Sequence, residues 1–453
     1  MRSFLSRLHM RIGDLWWFSI MMFFALRCGD LINAFVGLWL VPIYVGTEEL
    51  GAVLPLTQFA TSVGTPMVVL VFVFSKFLNR YKTLGEEGKI KSMLIWFIGI
   101  AVVLTVLTSL VSILLLPHFF ERIRVQSGSL AILILASGLL GAVSLVFSSA
   151  LQGLKKFNTI TIINFFSAPI RLIVMLIAMP FRALSGYMLG QVAAPAFQIF
   201  AACFSLRKNF SKSVKATPFW REDGKEIARY AGLVAITPII GAFTVPITYM
   251  VIRQRLPEVE SAAYYIISRF SEIATYAGQT MISIMFPLAA EAQTKGKESL
   301  KLLGHMSVGT VGFGVIAAMG LYLCGEWVFN LIPTCRPYST YVPDMALLAV
   351  SMTVGFLWNC YSNYEIACNR FGYLIYGGIL DIFQVAFLVC FTGYTFFDGI
   401  LSPAVIDWMA SLKIATLRNF ILTILIINLV RVACVAIEIL IRQKRSSLKR
   451  ATF

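Results

Sequence analysis

Residues Leu15–Tyr44 read LWWFSIMMFFALRCGDLINAFVGLWLVPIY, thirty residues among which only Arg27 and Asp30 carry charge. About 20 mostly apolar residues cross a bilayer as a helix, so the stretch is predicted to span a membrane with both charges near mid-depth. A charge held there costs about 3 kcal/mol unless it is compensated. Two compensations fit the spacing. Arg27 and Asp30 stand one helical turn apart and can seal each other, or both face a water-filled path for an anionic passenger. An ionisable group at membrane depth points to function by default, and both readings stay open.

The rest of the chain has the same character. Of its 453 residues 58% are hydrophobic and 13% charged, whereas about a quarter of a soluble domain is charged; the chain is that of a polytopic membrane protein. Cutting it where charges interrupt predicts twelve spans, at 15–44, 50–75, 92–117, 129–151, 159–179, 183–206, 230–252, 263–290, 302–325, 345–368, 373–396 and 417–441. Lysine and arginine gather on the cytoplasmic side of membrane proteins. Here 26 fall in one alternating set of connections and eight in the other, which predicts both termini in the cytoplasm. The net charge of +16 does not point to nucleic acid, because the basic residues form short clusters between apolar spans and no continuous surface. Residues 1–12 hold Arg2, Arg7 and Arg11 but no small-residue cleavage site, and read as a retained cytoplasmic tail.

The longest polar stretch, 207–229, is a cytoplasmic linker that divides the chain into lobes 1–206 and 230–441, with a basic cytoplasmic tail at 442–453. A faint internal repeat agrees with that division. Gly88-Lys89 after span two recurs as Gly296-Lys297 after span eight, and Lys156-Phe157 after span four as Arg370-Phe371 after span ten, at offsets of 208 and 214 residues. Parallel repeats of this kind mark transporters. The fold expected is therefore all-α: twelve transmembrane helices in two six-helix lobes with pseudo-two-fold symmetry.

No enzyme constellation is present. There is no nucleophile elbow, no zinc-protease motif and no phosphate-binding glycine loop, and the histidines His9, His118 and His305 sit near span ends. The eight cysteines include no Cys-x-x-Cys and read as small buried hydrophobes, with a Cys324–Cys335 pairing near one outside loop as the alternative. No cofactor or metal site is expected. The charges inside spans are the informative set. Arg269 and Glu272 repeat the Arg27/Asp30 spacing; with Arg27 near mid-membrane and Arg269 in the outer half, the two arginines form successive stations for one anion, or each seals its own carboxylate. Asp381 and Arg431, at similar depth on spans eleven and twelve, are expected to pair as a structural lock. Arg171 either points into a cavity or snorkels to an interface. Glu365 and Glu438 lie near span ends, where water is close. Prolines 55 and 66 in span two and 238 and 246 in span seven mark both as candidate bends.

Several stretches resemble a known family. Val45-Gly46-Thr47-Glu48-Glu49-Leu50-Gly51 is similar to the Gly-Pro-Glu-x-Tyr-Gly turn after the first span of Wzx-type oligosaccharide flippases, although Thr47 stands where they carry proline. Leu151-Gln152-Gly153-Leu154-Lys155-Lys156-Phe157 resembles their Leu-Gln-Gly-x-x-Arg-Phe link, and Tyr264-Tyr265 with Phe286-Pro287 fits their span eight. The resemblance implies the multidrug/oligosaccharidyl-lipid/polysaccharide (MOP) superfamily and a MATE-like cavity lined mainly by spans one, two, seven and eight. It implies a monomer in the bacterial cytoplasmic membrane, associated with membrane lipids and with glycan polymerisation enzymes. Its cargo would be an undecaprenyl-pyrophosphate oligosaccharide flipped to the outer leaflet by alternating access, for O-antigen, lipopolysaccharide or other surface polysaccharide. Arg27 and Arg269 match the family's cationic cavity positions, and Asn33, Gln58 and Gln279 are candidate sugar contacts. Asp30 and Glu272 are candidate carriers of a coupling proton or sodium ion. The rivals are a cation-coupled multidrug exporter of the same superfamily and a membrane-embedded glycan polymerase or ligase. The short outside connections disfavour the second of these.

Overall fold

A computed structural model gives the fold and describes residues 27–125, 128–154, 156–207, 215–276, 300–368, 370–391 and 416–451, with a few isolated positions between. The N-terminal tail 1–12, the Phe286-Pro287 pair and most of the connection 397–416 lie outside the described residues. Helices are the only regular elements among the described residues, as a bilayer requires of a chain that must satisfy its backbone internally. They are α1 (27–44), α2 (Val53–Val63), α3 (Thr65–Leu84), α4 (Glu87–Ile123), α5 (Leu130–Gly153), α6 (Phe157–Ala178) and α7 (Ala183–Leu206). After the linker come α8 (Gly224–Arg255), α9 (Glu258–Ser271), α10 (Leu300–Leu331), α11 (Val342–Ala367), α12 (Tyr373–Phe391) and α13 (Leu417–Ala451). Eight described helices are long and apolar enough to cross a membrane, or nine when the bent pair α2–α3 counts as one span. The other three predicted spans are α1, α9 and α12, each of which runs into residues outside the described set. The basic segment from Arg442 continues α13 as helix to Ala451.

By packing, the chain forms two units, Met1–Met250 and Val251–Phe453. In the first, α5 is the central helix, packed on α2, α3 and α7. It buries Gly138, Ala142, Ser144, Ser149 and Ala150, small residues that let neighbouring backbones approach closely in a membrane. Span two breaks against it with a bend of 51°. Pro66 stands in the first turn of α3, and its missing N–H frees a carbonyl of the preceding helix. Gly138 admits the break: a Cβ there would lie 2.2 Å from the Ala60 carbonyl oxygen. In the second unit α11 holds the equivalent place, packed on α9, α10 and α13. It too buries small residues, among them Ala349, Ser351, Thr353 and Cys360. Spans four and ten are the ones a six-helix duplication would pair, while the two units divide within α8, after Met250.

Basic residues that mark topology in the sequence have a second role here. The end of the linker, from Lys215, lies across the α3–α4 turn: the Thr217 N–H donates to the Gly88 carbonyl at 3.1 Å, and a Cβ on Gly88 would meet the Thr217 hydroxyl at 2.6 Å. Trp220 meets Trp96 with ring centres 5.1 Å apart. Lys89 Nζ binds Glu222 at 2.6 Å and Arg80 Nη1 binds Glu226 at 2.9 Å. Between them Asp223, 8% exposed, accepts a 2.8 Å bond from the Tyr81 hydroxyl. The exposed Arg80–Glu226 pair is worth little in water; the buried Tyr81–Asp223 bond is the firmer anchor, since its loss strands a buried hydroxyl at a cost of about 1–3 kcal/mol. Asp223→Ala is therefore expected to speed trypsin cleavage after Arg221 and Lys225 roughly tenfold, because cleavage follows the population of the open segment. An unchanged digestion pattern would assign the docking to the tryptophans instead.

Cys324 is exposed and Cys335 buried, and both are free thiols. Burial pushes the Cys335 thiol up to about 11, so it stays protonated at neutral pH and packs as a small apolar group.

Candidate functional site

The first unit forms a half-open cavity of 480 Å³, within the range of small-molecule pockets. Each wall comes from a different helix. Gly29, Asp30 and Asn33 of α1 face Thr57 and Thr61 of α2; Ser137, Gly141 and Ser144 of α5 and Asn164, Ser167 and Arg171 of α6 form the next sides; Gln191 and Gln198 of α7 complete it. The broken span two contributes Gly64 and Thr65 at the bend itself. This setting explains the polar residues on α5–α7: facing lipid they would lack partners, whereas facing a common hollow they serve one another and its contents.

Arg171 and Asp30 are the charged residues of the lining, and Arg27 pairs with Asp30 from outside it. Arg27 Nη1 lies 2.9 Å from Asp30 Oδ2, both side chains largely buried. Arg171 lines the hollow and donates from Nη1 to Gln191 Oε1 at 3.4 Å. The lining itself holds one positive and one negative charge, Arg171 and Asp30; counting Arg27, which lies outside the lining, the local sum is one formal positive charge. Asp30 and Asn33 line this cavity; Gln58, one position from the lining Thr57, does not. The resemblance implies a path lined mainly by spans one, two, seven and eight; this cavity takes walls from spans four to six as well.

In the second unit Arg269 Nη1 lies 3.2 Å from Glu272 Oε1, with its guanidinium 5.2 Å from the centre of the Tyr265 ring. Gln279, one turn further, donates to the Thr275 hydroxyl at 3.1 Å. Asp381 of α12 pairs with Arg431 of α13. Arg431 also donates to Gln384 Oε1 at 2.9 Å and to Asn428 Oδ1 at 3.2 Å, and Asn428 reaches the Ser351 carbonyl of α11 at 3.2 Å. The pair is charge-neutral and hydrogen-bonded on several sides, as buried ions must be. Exchanging Asp381 and Arg431 is expected to retain more folded protein than losing either alone, because a lone buried charge costs about 3–5 kcal/mol. Yields of membrane-inserted protein for the two single variants and the swap decide it, and equal damage in all three would reject the lock.

The carboxylates read as ordinary span-end groups are not so. Glu365 is 0% exposed and is clasped by Arg442 through bonds of 2.8 and 2.7 Å. Glu438 Oε2 accepts from the Tyr361 hydroxyl at 2.7 Å and the Tyr376 hydroxyl at 2.5 Å, while Arg442 also holds Oε1. One guanidinium thus ties α11 to α13, and the tyrosines add α12. Burial of Glu365 was illegible because its partner is 77 residues away; the Glu438/Arg442 i,i+4 spacing was the available hint.

No protein-family model matches the sequence, and no curated protein matches it. Solved structures do. The chain superposes on the inward-facing conformation of a multidrug resistance MATE family transporter of the MOP superfamily with a TM-score of 0.67 at 12% identity, over 94% of this chain and 99% of that one. An outward-facing conformation of a transporter of the same description gives 0.61 at 16% identity, over 97% and 98%. A MOP superfamily transporter from Pyrococcus furiosus, described as having a binding pocket of reversed polarity that suggests a different function, gives 0.61 at 15% identity, over 97% and 98%. Identities this low establish the fold alone. The protein is an all-helical, multi-pass membrane protein. Its fold is that of MATE transporters of the MOP superfamily, and its structural neighbours are transporters.

Proposed function

We propose that the protein carries a lipid-linked oligosaccharide bearing a pyrophosphate, of the undecaprenyl type, from the cytoplasmic to the outer leaflet of a bacterial cytoplasmic membrane by alternating access. In this reading both termini face the cytoplasm and the product feeds surface polysaccharide synthesis. The observation that supports it is the arginines at the first unit's cavity: Arg171 lines it, and Arg27, outside the lining, neutralises Asp30. A diphosphate needs positive partners out of water, and the planar donor fork of arginine suits phosphate better than a lysine ammonium. Arg269 with Glu272 is the second candidate station, and Asn33 and Gln279 are candidate sugar contacts. An inside-negative potential favours outward passage of an anion by about 2.3 kcal/mol per charge per 100 mV. Asp30 and Glu272 are the groups able to exchange a coupling proton or sodium ion.

A multidrug exporter is the second reading, favoured by the description of one structural neighbour. A cationic drug would meet Arg171 in the lining with Asp30 already neutralised by Arg27, which is the physical argument against it. Reconstitution in liposomes separates the two. Movement of a fluorescent undecaprenyl-pyrophosphate oligosaccharide to the far leaflet is the expected result; ethidium transport with no movement of the lipid would overturn the proposal in favour of the exporter.

A further inference from the structure

The linker segment that docks on the α3–α4 turn sorts its charges by side. Its acids, Glu222, Asp223 and Glu226, face the body of the first unit, where Lys89, Tyr81 and Arg80 engage them. Phe219, Asp223, Ile227, Tyr230 and Val234 are each at most 8% exposed and trace, at helical spacing, the face that packs inward. Arg221, Lys225 and Arg229 recur every fourth residue on the opposite face, and all three are exposed. None of them has an acidic partner among the described residues. The docking bonds are made by the acids, so these three bases are charges that the fold of the segment does not use.

The same exposed face continues along α8 as Gly232, Ile236 and Ile239, so it is basic in its first turns and apolar further on. At the basic end the half-exposed rings of Trp220 and Trp96 meet. Tryptophan gathers where membrane meets water, and the pair sets this end at the level of the lipid headgroups. A ligand complementary to the whole face has an anionic head and an apolar tail. A soluble anion would match only its basic turns, and a zwitterionic headgroup would bring an ammonium against three cations. We propose that Arg221, Lys225 and Arg229 form a docking site for the headgroup of an anionic phospholipid in the leaflet on the linker's side, with its acyl chains along Ile236 and Ile239. The site is for a lipid that stays with the protein, and it does not depend on what the protein transports.

The test titrates the full-length protein, purified in a neutral detergent, with dioctanoyl phosphatidylglycerol, dioctanoyl phosphatidylcholine and inorganic pyrophosphate, read by microscale thermophoresis. Phosphatidylglycerol is expected to bind at least tenfold tighter than either of the others. A basic side chain near an anionic membrane surface contributes about fivefold in affinity. The triple variant Arg221→Gln, Lys225→Gln, Arg229→Gln should therefore lose at least tenfold for phosphatidylglycerol and keep its affinity for phosphatidylcholine. Salt at about 1 M, where the screening length falls to about 3 Å, should have the same effect on the parent. Arg182→Gln with Arg336→Gln and Arg418→Gln removes equal charge from exposed positions elsewhere and should bind phosphatidylglycerol as the parent does. Should the triple variant not fold, Lys225→Gln alone is expected to cost about fivefold. Equal affinity for the two lipids, a triple variant that keeps the preference, or a control variant that loses as much would each overturn the site. Pyrophosphate that binds as tightly as phosphatidylglycerol and displaces it would make the stripe a plain phosphate site and would overturn the lipid assignment too.

Discussion

Alanine at position 171 is expected to lower movement of a pyrophosphate-linked glycan roughly ten- to hundredfold, with synthesis and insertion of the protein unchanged. A hydrogen bond from a charged donor contributes about 1.5–3 kcal/mol, and each 1.4 kcal/mol is a factor of ten. Arg171→Lys keeps the charge but not the planar fork, so it should recover only part of the loss. Arg27→Ala should abolish export as well, for a different reason. Its guanidinium, outside the lining, neutralises Asp30 at 2.9 Å, and without it the Asp30 carboxylate cancels the positive surplus that Arg171 gives the lining. The double variant Arg27→Ala with Asp30→Asn restores that surplus through Arg171 alone. Recovery of export in the double variant would make Arg27 a partner of Asp30, whereas continued loss would make it a contact of the cargo. Unchanged export in both single arginine variants would leave these residues a packing role and remove the chemistry from the proposed transport.

How far such a site is legible beforehand depends on how its residues are spread along the chain. The spans were legible because twenty apolar residues leave few alternatives. Charges inside spans were legible one by one. Arg27 and Asp30, three apart, announced their own pairing, and Asp381 and Arg431 could be matched by depth. Cavity walls were not legible in this way. Serine, threonine and asparagine are tolerated in many membrane helices because their protons bond back to their own helix, so nothing distinguishes Ser144 or Ser167 until the helices are packed. Linker contacts were hidden for the opposite reason: Arg80 and Lys89 already had a sufficient explanation as topology signals, and Asp223 reads as one more polar loop residue.

The arginine at the foot of the second unit should prove the most costly single residue to remove for stability. Arg442 is the cation that compensates Glu365, which has no exposed surface. Breaking a buried pair by deleting one member costs about 3–5 kcal/mol, because the remaining charge keeps its desolvation penalty and loses its compensation. Arg442→Ala leaves two carboxylates, Glu365 and Glu438, near one another with only the Tyr361 and Tyr376 hydroxyls as donors on the Glu438 side. A loss of that size is a large part of the 5–15 kcal/mol that holds a typical folded protein together. In detergent the variant should unfold well below the parent temperature or fail to accumulate. Glu365→Gln alone should be milder, since it removes the buried charge and keeps an amide able to accept from Arg442. The decisive comparison is Arg442→Ala combined with Glu365→Gln. Because the penalty belongs to the stranded carboxylate, the double variant is expected to be more stable than Arg442→Ala by at least 1 kcal/mol; equal stability would mean that α11 and α13 are held together by packing around Tyr361 and Trp358 and not by this pair.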